Sequence, residues 1–313
     1  MDLGAALLAL IVGVLVKGAV MVLGGWLVVK VYGATYGHHP RRLWLAIPQE
    51  SLGPVRVLWW ALLFFAISEL TCGVEVYVLF RSSPIMSGIH AFASGAGMAL
   101  FALGMLRFLD ARILRWGEPA CVGNRVCHGC TVQTPAGCKL RATALLAGTF
   151  ILLAAVPPLL ADTSRMDADV RRYMLPFPAV NAWWDREVVP RPVQALPGYT
   201  PTGKAYYLPS SMMVIEQRIL PLLAAALALA GLVRISRHRL AAGAEPLALA
   251  AGLLAYSYME LVIYRGTGDV LLGSLLHEVA EFWFLAFTVE LLSRMFPPGV
   301  AAASFEIRGH VER

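Results

Sequence analysis

Glu75-Val-Tyr-Val-Leu-Phe-Arg81, followed by Ser87-Gly-Ile-His90, returns later in the chain as Glu260-Leu-Val-Ile-Tyr-Arg265, followed by Ser274-Leu-Leu-His277. Each copy ends one apolar run, crosses a short loop and opens the next run. The pattern therefore predicts two helix pairs, each carrying a carboxylate and an imidazole at similar depth. Ionisable side chains are costly inside a bilayer, so the same pair placed twice predicts one site assembled from two halves of an internal repeat.

Working outward from these copies, seven apolar runs cover residues of about 3–31, 55–80, 84–109, 140–161, 219–233, 246–264 and 270–292. Each is near the roughly 20 residues that a membrane-crossing helix needs. The fifth is the shortest, and its start is expected anywhere back to Met212. A chain that is 58% hydrophobic and only 15% charged, with a mean hydropathy of +0.66, excludes an ordinary soluble domain and predicts a polytopic membrane protein. The first run is longer than a signal-peptide core and has no basic segment before it, so it is expected to stay as a span.

The expected fold is an all-α polytopic membrane helical bundle of about seven transmembrane helices, with a parallel 3+3 internal repeat and a connecting helix. In chain order this means a first three-helix repeat at 1–110, a cytoplasmic Cys-rich loop at 111–139 and a connecting transmembrane helix at 140–161. An extracytoplasmic Pro-rich loop at 162–211, a second three-helix repeat at 212–295 and a cytoplasmic tail at 296–313 follow. Lys30, Arg41, Arg42, Arg112, Arg115, Arg125, Lys139, Arg141, Arg234, Arg237, Arg239 and Arg294 fall on one side of such a bundle. Short basic loops are retained in the cytoplasm, so the N-terminus is expected outside and the C-terminus inside a cell (inner) membrane. The sequence pI of about 9.2 then reports topology and attraction to anionic lipid, and no nucleic-acid partner is inferred. In the outer loop, Trp183 and Trp184 suit either a lid or an interfacial anchor.

Glu75, His90, Glu260 and His277 offer the nitrogen and oxygen donors that suit a transition metal, iron first, as a non-haem centre. His90 and His277 alone could serve instead as the two axial ligands of a haem b. The small residues Ala91, Ala93, Ser94, Gly95, Ala96 and Gly97 would leave room for a macrocycle or let helices pack closely. Glu281 lies one turn beyond His277 and shares its face, whereas Glu278 points elsewhere. Glu69 and Glu281 are the expected proton-handling groups. Lys17 and Glu69 both fall inside apolar runs, where an ion pair would lower the cost of each. Cys72, on the same run, reads as a packing thiol.

Between the third and fourth runs, Cys121, Cys127, Cys130 and Cys138 follow a C-x5-C-x2-C-x7-C spacing. Four thiols so close can surround one metal centre, an iron–sulfur cluster or zinc, and a reducing cytoplasm favours this over disulfides. Two readings of function follow. The first is an inner-membrane redox or electron-transfer protein, an oxidoreductase or a subunit of one, with quinone and other redox subunits as partners beside the lipid bilayer. The second is a proton-coupled metal-ion or small-solute transporter whose cysteine loop is a structural zinc staple.

Overall fold

In the computed structural model, residues 15–36, 52–74, 84–108, 138–160, 212, 214–237, 240–266 and 270–295 are described. Glu75, Cys121, Cys127 and Cys130, the loop at 162–211 and the tail at 296–313 lie outside them. The described residues are all-helical, without strands. They form α1 (Lys17–Tyr36), α2 (Leu52–Val74), α3 (Pro84–Phe108), α4 (Lys139–Leu153), α5 (Val156–Leu160), α6 (Leu220–Ser236), α7 (Leu240–Gly266) and α8 (Val270–Met295). A π-helical turn, Ile215–Ile219, leads into α6.

Five helical segments are long and apolar enough to cross a membrane: Lys17–Tyr36, Gly53–Val74, Ile85–Phe108, Ala142–Leu160 and Ile215–Ser236. Their outer faces are apolar and exposed, with Val22, Ile85, Leu146, Phe150 and Leu160 among the residues turned away from the protein. Such surface is costly in water and suits lipid.

Sequential helices pack antiparallel. Lys17 meets Glu69 at one end of α1 and α2, and Trp59 Nε1 donates to the Val28 carbonyl (3.1 Å) further along. Between α3 and α7, Ser94 lies beside Tyr256 at one end, and Arg107 pairs with Glu245 (2.8 Å) at the other. By contrast α1 and α8 run parallel, since Lys17 reaches Glu278 while Gly24 lies near Leu285. Hydrophobicity drives little helix association where lipid is as apolar as leucine, so close packing at small residues has to hold the bundle. Gly252 of α7 lies so close to the Met98 carbonyl and Ala99 of α3 that no larger residue fits without moving a backbone. The small-residue run after His90 serves the same end: Gly95 faces Leu220, and Gly97 faces the backbone of Ala61 and Phe65. At Gly95 and Gly97 the run thus serves close packing, one of its two expected uses.

Prolines mark two departures from the expected boundaries and one expected extension. Pro157 and Pro158 lack the N–H groups a continuous helix would use, and the fourth expected span divides at Ala154–Ala155 into α4 and α5. The sixth does not begin at Pro246 but at Leu240, with the proline inside the helix. Its missing N–H would leave the Ala242 carbonyl without a donor, and Arg234 Nη1 supplies one at 3.3 Å. The fifth extends back beyond residue 219 through the π-helical turn, within the range expected back to Met212, and Pro221 follows that turn. An α-register would ask Pro221 to donate to Gln217, and a π-register to Glu216. Arg218 Nη1 donates to the Gln217 carbonyl (3.0 Å) and Ser257 Oγ to that of Glu216 (2.6 Å).

Candidate functional site: a buried ionic network

The ends of α2 and α7 and the starts of α1, α3, α6 and α8 meet at one end of the bundle, and the buried polar groups gather there. Lys17 Nζ is the hub. It lies 2.7 Å from Glu69 Oε2, 3.0 Å from Glu278 Oε1 and 3.7 Å from Glu281 Oε2. The Lys17 and Glu69 side chains are 7% and 1% exposed, so water does little of the solvation that the charges need. The carboxylates take that role for the ammonium, and the ammonium for them. The expected Lys17–Glu69 pair is therefore present. Glu278, expected to point elsewhere, joins it because α1 arrives on the flank that Glu278 and Glu281 share, three residues apart on α8.

Glu281 passes the network on. Its Oε1 lies 2.9 Å from His277 Nε2, the pairing that their spacing of four residues predicts. His277 Nδ1 lies 3.0 Å from Glu260 Oε1, at ion-pair distance though without hydrogen-bond alignment. The carboxylate and imidazole of the second sequence copy thus do come together. Beyond Glu260, one turn back on α7, Tyr256 donates its hydroxyl to Glu216 Oε1 (2.9 Å), and Gln217 Nε2 donates to the Ser257 carbonyl (3.2 Å). Glu216, Gln217, Ser257 and Glu260 are fully buried.

His90 takes a different course. Its Nδ1 is 3.0 Å from both the hydroxyl and the carbonyl of Ser68, and Ser68 also contacts Ser94, which neighbours Tyr256. A proton on Nδ1 would serve the carbonyl and leave the lone pair on Nε2, whereas a bare Nδ1 would accept from the hydroxyl. Among the described residues the two histidines stand in unlike settings, one between carboxylates and one among serines. Glu75, the fourth expected ligand, lies outside the described residues.

The donor set fits a bound metal poorly at two points. Oxygens of Glu69, Glu278 and Glu281 lie within 4.8 Å of one another, a spacing suited to a cation, but the Lys17 ammonium already stands among them. Both nitrogens of His277 face carboxylates, so either would have to leave its partner to ligate iron. Of the four loop cysteines only Cys138 is described. It is a half-buried free thiol preceding α4, at the end of the bundle opposite the network. Cys72, a free thiol, sits one turn beyond Glu69.

Charge counting defines the chemistry. Glu69, Glu216, Glu260, Glu278 and Glu281 face one lysine and two histidines. Among the described residues, five carboxyls against at most three cationic side chains leave at least two negative charges for protons or bound cations to balance, because isolated charges are not tolerated at this depth. Glu216, Gln217, Tyr256, Ser257, Ser68 and Ser94 were not singled out by sequence. The polar triplet Glu216-Gln217-Arg218 ahead of an apolar run was the available signal.

No family model, curated protein or solved structure matches this chain.

Proposed function

We propose that this protein is a proton-coupled membrane transporter, in which protons held by the buried carboxylates move as a cation or small solute crosses. The observation that carries this reading is the run of ionisable groups from Glu69 and Glu278 through Lys17, Glu281 and His277 to Glu260. Ionisable residues within a membrane bundle mark ion and proton paths more often than structural glue. An imidazole between two carboxylates takes a proton at one nitrogen and releases one from the other. Lys17 acts as a tethered counter-ion whose hold on three carboxylates changes with each proton they gain.

On this reading the eight helices make seven crossings, α4 and α5 forming one, and α1–α3 and α6–α8 are the two repeats. The N-terminus is outside, which puts the network in the outer half of a cell (inner) membrane. The basic residues Arg107, Arg234 and Arg237 lie at the opposite end, as do Tyr32, Tyr36, Trp59 and Trp60, whose stacked rings suit a membrane–water boundary.

The test is proton movement in sealed vesicles carrying the purified protein and an interior pH dye. A cation or solute gradient should drive a pH change in the wild type, and Glu281→Gln should reduce it by at least about tenfold. Proton leakage equal to that of protein-free vesicles under every gradient would refute it.

One contact favours the redox reading: His90 Nδ1 lies 3.0 Å from the Ser68 carbonyl, and a proton held there would leave Nε2 with the lone pair, the form in which imidazole ligates iron. His90, with Glu75 or His277, would hold a haem or non-haem iron. Cys121, Cys127, Cys130 and Cys138 would hold an iron–sulfur cluster or zinc, and the carboxylates would supply protons to a quinone. Stoichiometric iron and a visible spectrum in the purified protein would select this reading, and a colourless protein the transporter.

A further inference from the structure

The Lys17 cluster carries its own cation. The other half of the network does not, and five buried side-chain oxygens have neither a hydrogen bond nor an ion pair among the described residues: Glu69 Oε1, Glu278 Oε2, Glu216 Oε2, Gln217 Oε1 and Glu260 Oε2. The last three belong to fully buried residues at the contact between the π-helical turn and α7. They are tied to one short stretch of that helix. Glu216 is bonded to Tyr256 and Ser257, Gln217 is bonded to Ser257, and Glu260 lies one turn further on. Glu216 and Glu260 are close enough to interact electrostatically.

What these three atoms lack is a donor or a positive charge. While both carboxyls are ionised all three are acceptors and cannot satisfy one another; a proton on either carboxyl makes it a donor, and in its absence a cation has to take that place. One water offers two hydrogens to three oxygens and leaves the charge untouched. Glu216 has one hydroxyl donor and no ion pair among its described contacts, and the His277 imidazole, which acts on both Glu216 and Glu260, is shared with Glu281. Two carboxylates with half a claim on one imidazole lack about one positive charge. The π-helical turn adds a reason for the geometry, since such turns sit at functional positions and re-aim side chains. Here the turn, which Pro221 follows, carries Glu216 and Gln217 against α7.

We propose that Glu216 Oε2, Gln217 Oε1 and Glu260 Oε2 form a binding site for a monovalent alkali cation, with sodium as the probe. An all-oxygen ligand set is that of a hard cation. Calcium takes six to eight oxygens, so three side-chain ligands and one missing charge disfavour it. The cation replaces a proton at this site, so sodium and protons compete. This names the solute class of the proposed transporter, and it rests on that reading only for the ion's movement. Binding itself needs no transport.

The experiment is equilibrium binding of radioactive sodium to the full-length, detergent-purified protein, with thermal unfolding in sodium chloride against choline chloride at equal ionic strength. Saturable sodium binding and a sodium-specific rise in Tm are expected, with affinity lowered by at least about tenfold in Gln217→Leu and in Glu216→Gln. Arg107→Ala, at the opposite end, should bind as the wild type does. Gln217→Glu guards against a folding failure in the other variants: it adds the charge that a divalent ion requires, so calcium should raise its Tm where it does not raise that of the wild type. Identical behaviour in sodium and choline would overturn the site, as would undiminished binding in both loss variants or a wild type that prefers calcium. Absence of sodium binding with proton movement intact in vesicles would refute this site alone. Sodium binding without proton coupling would refute the transporter and leave the site.

Discussion

Replacing Lys17 by methionine keeps the side-chain length and removes the charge at the centre of the network. At an effective dielectric of about 20, unit charges at the observed 2.7–3.7 Å attract by roughly 4–6 kcal/mol per pair before desolvation is deducted. Desolvation offsets much of this while the pair is intact. Once one partner is gone, the others keep their cost without the return, and breaking a buried pair typically costs about 3–5 kcal/mol. Lys17→Met should therefore lose about that much stability in reversible denaturant unfolding in detergent. Glu69→Gln should cost less, because Glu278 and Glu281 still hold the ammonium. The two changes together should cost less than their sum by more than about 1 kcal/mol, since the double variant no longer strands Glu69. A loss below about 1 kcal/mol for Lys17→Met, or strict additivity within about 0.5 kcal/mol, would refute the description of this pair as buried and coupled.

Tyr256→Phe removes the only hydroxyl donor to Glu216 Oε1 among the described contacts and should cost about 1–3 kcal/mol in the same unfolding assay. Gly252→Val would place a Cβ 2.6 Å from Ala99 Cα, and the overpacking should cost at least about 1–3 kcal/mol, read as a lower Tm or loss of a monodisperse peak in size exclusion. Arg107→Ala should cost at most about 1 kcal/mol, diminishing with added salt, because Arg107 and Glu245 are 40% and 42% exposed.

The helices and the heart of the site were legible because charges in apolar runs are conspicuous. Lys17 and Glu69 stood out for that reason, and the spacing of His277 and Glu281 placed them on one face before any coordinates. Glu278 was misplaced because its partner comes from another helix: only the parallel approach of α1 to α8 brings an ammonium to that flank. Glu216 and Gln217 lie in the stretch between Met212 and residue 219 where the start of the fifth span is open in the sequence, and only the contact with Tyr256 and Ser257 of α7 shows that they are buried. The small residues after His90 allow both a cofactor and close packing, and Gly95 and Gly97 pack against α6 and α2. The Glu75–His90 copy resembles Glu260–His277 in sequence, but Ser68, on a different turn, captures the His90 ring.

Among the described residues more carboxyls are buried than fixed cations balance, and the proposed transport requires some of them to exchange protons. Infrared difference spectroscopy of the full-length protein through a pH jump measures this directly. Carboxylic-acid carbonyl bands that shift in heavy water are expected, with separate components lost in Glu260→Gln and in Glu281→Gln. A spectrum without pH-dependent carboxylic-acid bands, or one unchanged in both variants, would contradict it.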